Sequence, residues 1–154
     1  MESPRSRYAE ITYTFLRITA AFLYSCHGAQ KLFGVLGGMQ QVHSPRGLTA
    51  GIIEFFGGLL IASGLFTRIA AFIASGEMAI AYFWVHAHRN FWPIINKGEL
   101  AVALCFVFLY IAARGPGGCS LDALWLRRKT RVAGLPLCGI QGQAAGLPTQ
   151  PVED

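Results

Sequence analysis

Five ionisable residues, Arg17, Lys31, Glu54, Glu77 and Glu99, stand within or at the edge of long apolar stretches of this 154-residue chain. A charge near a bilayer centre costs at least about 2.5–3.5 kcal/mol on insertion scales, so such groups are seldom idle. Lys31, Glu54 and Glu99 fall toward one end of their stretches, which sets one cation against two carboxylates from different segments. His27 lies four residues before Lys31 and shares its helical face, as does Tyr24 at seven. Asn96 and Lys97 sit beside Glu99. The chemistry expected of this group is ligand capture by Lys31 and His27, with Tyr24 and Asn96 lining the site, and proton exchange by Glu54 or Glu99. Arg17 and Glu77, about 9 and 12 Å in from the other end at 1.5 Å per residue, are expected to form a structural ion pair. A plainer reading stays open beside this one, in which both sets of charges only fix helix register.

The elements that must position these groups follow from composition. Residues of the AVILMFWYC class make up 53% of the chain and charged residues only 14%, about half the usual share for a soluble domain. A bilayer core is crossed by about 20 apolar helical residues, and four segments suit that length: 11–33, 48–66, 69–86 and 98–113. They are too uniformly apolar for barrel strands. The expected fold is therefore all-α, an integral membrane four-helix bundle. Gly34 to Gly47 reads as a loop, Thr67-Arg68 as a tight hairpin, and Phe91-Trp92-Pro93 as an aromatic belt at headgroup level.

Arg5, Arg7, Arg68, Arg114, Arg127, Arg128, Lys129 and Arg131 would share one side, against Arg46, Arg89, Lys97 and, at its border, Lys31. Positive charge stays inside, so both termini are expected in the cytoplasm of a bacterial inner membrane. After the fourth span, Arg114-Gly-Pro-Gly-Gly stops the helix, and Ser120 caps a short interfacial helix over 121–126. The basic run 127–131 suits anionic lipid. The divisions expected are a cytoplasmic N-terminus over 1–10, a membrane domain over 11–131 and a disordered Gly/Pro/Gln-rich tail over 132–154.

The same residues exclude several functions. The net charge of +5 is not gathered on a polar surface, so nucleic acid is not an expected partner. His86 and His88 point apart on a helix and no metal-binding motif is present, so no metal site is expected. Cys26 and Cys105 lie at similar depth and read as small buried hydrophobes, with a bridge between them left open. Gly57-Gly58 and the spacing of Ala71, Ser75 and Ala79 read as close-packing faces.

Arg17, His27-Gly28-x-x-Lys31, Glu54-x-x-Gly57-Gly58-Leu59-x-x-x-x-Gly64-Leu65-x-Thr67-Arg68, Asn96-x-Gly98-Glu99-x-Ala101 and Gly115-Pro116-Gly117-x-x-Ser120-Leu121-Asp122 occur in that order. Together, over roughly residues 13–126, they resemble the DoxX family of small membrane proteins. The resemblance implies a four-helix membrane bundle and a link to quinone-associated redox chemistry, because the family includes a subunit associated with thiosulfate:quinone oxidoreduction. It supplies no catalytic assignment for any residue. The function expected is a subunit or accessory of quinone-linked oxidoreduction, with quinone as the ligand and a redox partner protein or a second copy as partner. The alternatives are a proton-coupled small-solute transporter and a non-catalytic membrane scaffold.

Overall fold

A computed structural model describes residues 4–125, with side chains from residue 7 onward. All regular structure among these residues is helical. In chain order it comprises α1 (Pro4–Phe33), α2 (Pro45–Ser63), α3 (Thr67–Ala81), a π-helical turn (Tyr82–His86), α4 (Pro93–Asn96) and α5 (Glu99–Arg114). Residues 121–125 form a further helical turn. The expected segments reappear with shifted ends. The first helix starts seven residues earlier than expected, and the second stops at Gly64 rather than running to Phe66. The expected end of the interfacial helix, the basic run 127–131, Cys138 and the tail over 132–154 lie outside the described residues.

Buried positions repeat at helical spacing. On α1 they are Tyr13, Arg17, Ala20, Ala21, Tyr24, Ser25 and Gly28, and on α5 they are Ala101, Leu104, Phe108 and Ile111. Helix α1 packs along α2, α2 along α3, and α3 along α5. The α3–α5 seam is close because Ala70, Ala71, Ala74 and Ser75 bring little side-chain volume to it. There the Ser75 hydroxyl donates to the Cys105 carbonyl at 2.9 Å. Large apolar side chains point the other way: Phe15, Phe22, Phe72 and Phe106 are all more than 60% exposed. An apolar exterior, with small residues where α3 meets α5, suits lipid as solvent. Two helical stretches, Pro45–Ser63 and Thr67–His86, are long and apolar enough to cross a membrane.

The α2–α3 turn shows how local chemistry sets the fold. Gly64 adopts φ 75°, and its N–H bonds back to Leu60 and Ile61, closing α2 in the left-handed manner that glycine permits. A Cβ there would also meet the Ser120 Cβ at 2.5 Å. The first N–H groups of a helix lack internal partners. Here Asp122 supplies one from the far end of the sequence, its carboxylate accepting from Phe66 N at 3.1 Å and Thr67 N at 3.2 Å. Ser120 in turn accepts from Ala123 N at 3.1 Å, the cap expected of it. We expect Asp122→Ala to cost about 1–2 kcal/mol, seen as a lower unfolding temperature in detergent, with Asp122→Asn closer to the parent.

The same end is closed by ion pairing. Glu10 pairs with Arg114 and accepts from Gly118 N, while the Arg114 guanidinium lies 4.0 Å from the Tyr13 ring centroid. Arg68 donates to the carbonyls of Ala112, Ala113 and Arg114, the unpaired C-terminal acceptors of α5. The hydrogen bond from Arg114, then that from Gly118, holds the Glu10 carboxyl below the usual carboxylate range. A carboxyl depressed in the folded state adds stability above its unfolded pKa and loses it as pH falls through the folded one. Glu10→Gln should therefore lower stability at neutral pH, and the difference from the parent should shrink as pH falls below about 4.3 and vanish only below the depressed folded pKa. Because Glu10 is 45% exposed, the effect should be modest and sensitive to salt.

Candidate functional site

The charged cluster lies away from the α2–α3 turn, between the end of α1 and the midpoint of α2. Lys31 comes from α1, and Glu54 projects from the buried face of α2. The lysine Nζ lies 2.5 Å from the Glu54 Oε1, with the two side chains 24% and 1% exposed. The second oxygen, Glu54 Oε2, is buried with no hydrogen-bond partner. Leaving a buried polar atom unpaired usually costs about 1–3 kcal/mol, and among the described residues this applies to Glu54 Oε2 and to Arg17 Nε.

Tyr24 lies two turns before Lys31 and is fully buried. Its ring packs edge-on against Phe108 of α5, centroids 4.8 Å apart, and also faces Gly57 of α2. Its hydroxyl donates to Glu77 Oε2 on α3 at 3.1 Å. One phenol thus touches the three other long helices. Glu77 is half-buried and lies within electrostatic reach of both Glu54 and Lys31. The Glu54 carboxylate also feels His27, which is half-buried with Nδ1 3.3 Å from Gln30 Oε1. The assembly is one ammonium, two carboxylates, a phenol and an imidazole, contributed by α1, α2 and α3. Chemically it can hold a small oxygen-bearing ligand and give or take a proton.

The sequence-based list meets this geometry unevenly. Lys31 pairs with Glu54, and Tyr24 and His27 lie on the same stretch of α1 as Lys31. The Arg17–Glu77 ion pair does not form. Arg17, 1% exposed, instead donates to the carbonyls of Ile61, Ala62 and Cys119, at 2.5, 2.9 and 2.7 Å. The reason is an offset in depth. Helix α1 begins at Pro4 and overhangs, so Arg17 lies level with the end of α2, whereas Glu77 lies ten residues, about 15 Å, along α3. Glu77 is the member the sequence reading missed. Its signal was Tyr24, already placed on the face of Lys31.

Glu99 and Asn96 do not join the cluster. Glu99 is exposed in the first turn of α5. There its charge suits the helix N-terminus. Asn96 is buried but occupied: it donates to Asn90 O at 2.6 Å and accepts from Gly98 N at 2.7 Å, while its carbonyl contacts His86 Nδ1 at 3.1 Å. It therefore organises the loop between the π-helical turn and α5. Lys97, at φ 60°, ends α4 in the same loop. Cys26, Cys105 and Cys119 are free thiols. Among the described residues no three His, Cys, Asp or Glu are gathered as a metal would require.

Comparison with known proteins identifies the family. The DoxX family model matches residues 12–87, which include Arg17, Tyr24, His27, Lys31, Glu54 and Glu77. An uncharacterized protein of Haemophilus influenzae is 41% identical over 129 residues, 79% of this chain and 96% of the relative. No solved structure matches the chain. On these matches and its apolar helices, the chain is a membrane protein that belongs to the DoxX family.

Proposed function

We propose that this chain crosses a bacterial inner membrane four times, as a bundle of α1, α2, α3 and α5 with both termini in the cytoplasm. In this reading it serves quinone-linked oxidoreduction as a subunit or accessory, working with a redox partner protein or a second copy. Lys31, with His27 beside it, holds the oxygen of a quinone head. The Glu54 and Glu77 carboxylates carry the proton that accompanies electron transfer, with Glu77 taking the place first expected of Glu99. Electrons come from the bound ligand or from the partner.

The observation that carries this reading is Glu54. It is 1% exposed, ion-paired through one oxygen and unpartnered at the other. A pair meant only to staple two helices has no need of an orphan acceptor, or of a second carboxylate within its field. Purified protein in lipid should bind a short-chain quinone saturably, and Lys31→Ala or Glu54→Gln should each weaken binding about tenfold. Saturable binding left intact by both substitutions would overturn the proposal.

A further inference from the structure

The cluster divides into sealed and reachable groups. Glu54 and Tyr24, 1% and 0% exposed, are closed off inside. Lys31 keeps 24% of its side chain exposed, and Glu77 and His27 are half-buried. A ligand entering between the helices therefore meets an ammonium, an imidazole and a carboxylate.

The balance of charge and of hydrogen bonds restricts what that ligand is. Two carboxylates already face a single ammonium, and Lys31 is committed to Glu54 at 2.5 Å. An anion would add a negative charge beside two carboxyl groups in a low-dielectric interior, which is unfavourable unless a further cation comes with it. A ligand with only acceptor oxygens would use the remaining ammonium protons of Lys31. It would leave the second oxygen of Glu77 without a donor. Among the described residues the Glu77 carboxylate has only the Tyr24 hydroxyl as donor, so the element missing at Glu77 is a further donor. The interior already contains one fitting example: the neutral phenol of Tyr24, whose hydroxyl donates to Glu77 at 3.1 Å.

We infer that the site selects an uncharged aromatic hydroxyl donor, a ligand that gives its hydroxyl hydrogen to Glu77 and receives an ammonium hydrogen from Lys31. Resting on the function proposed above, this means that a hydroquinone is held in preference to the corresponding quinone. Glu77 then discriminates between the two states of the ligand, and Glu54 holds the Lys31 ammonium in position. Tyr24 holds the Glu77 carboxylate in place from behind.

The test compares three probes on the full chain in lipid nanodiscs: a short-chain alkyl hydroquinone kept reduced, its quinone, and a benzoate anion of matched ring size. The hydroquinone should bind about tenfold more tightly than the quinone, and the benzoate most weakly. Glu77→Gln should abolish the preference, while Glu77→Asp, which keeps the charge, should retain part of it. Equal binding of hydroquinone and quinone, or tightest binding of benzoate, would overturn this inference and leave the proposed function standing. Binding of none of the three would overturn both. A preference that survives in folded Glu77→Gln would remove Glu77 from the role. Should that variant fail to fold, the three-probe comparison on the parent protein decides.

Discussion

Arg17→Ala should unfold this protein more readily than any other single truncation on α1, lowering its stability by about 3–5 kcal/mol. The guanidinium is 1% exposed and bonds three carbonyls, two at the end of α2 and one at Cys119 in the segment that follows α5. Removing it strands those acceptors and opens a cavity where three parts of the chain meet. Lysine should not rescue the loss, because a point charge on a flexible stem cannot reproduce a planar fork bonded in several directions. Reversible unfolding in mixed micelles measures this. An Arg17→Lys variant as stable as the parent would show that charge alone, not the fork, matters here.

The second large effect concerns the seam between α1 and α2. A Cβ on Gly28 would lie 2.7 Å from the Phe55 Cα, and one on Gly58 would lie 2.7 Å from the Ala21 carbonyl oxygen. Backbone cannot yield as a flexible side chain does, so Gly28→Val or Gly58→Val must push the helices apart. Overpacking of this kind costs about 1–3 kcal/mol and occasionally more, and two backbones in direct opposition place these substitutions at the upper end. Separation would also draw Lys31 away from Glu54, so ligand binding should fall together with stability. Gly76→Ala provides the contrast. Nothing lies within 4 Å of its added methyl group, and the change should be neutral or stabilising by about 1 kcal/mol through helix propensity. Unfolding in detergent beside a binding titration separates the three variants.

The parts of this molecule legible in its sequence were those written in local pattern. Apolar length located the long helices to within a few residues, except where α1 overhangs its expected start. The Lys31–Glu54 pair was within reach of the sequence because the two helices are joined by a single loop, with Lys31 near the end of α1 and Glu54 at the midpoint of α2. Ser120 as a cap was equally local. The rest depends on partners that carry no sequence signal. Arg17 is matched by backbone carbonyls, which every residue possesses, so its charge was assigned instead to the nearest carboxylate in estimated depth. That choice used up Glu77 and hid its bond to Tyr24. Glu99 was drawn into the cluster because depth along a helix was known but azimuth was not, and the loop over 87–98 gave no means to orient α5. Asp122, capping α3 from 55 residues away, lay beyond any rule of spacing.

The account rests on Lys31 and Glu54 being coupled inside the protein. A double-mutant cycle with Lys31→Met, Glu54→Gln and the double variant, followed by unfolding in lipid, tests this most directly. Each single change should cost about 3 kcal/mol, since it leaves the other charge buried and unpaired. The double variant should cost far less than the sum, with a coupling energy of about 1.5 kcal/mol or more. Losses that simply add, to within about 0.5 kcal/mol, would mean that the two charges do not meet, and would contradict the site described above.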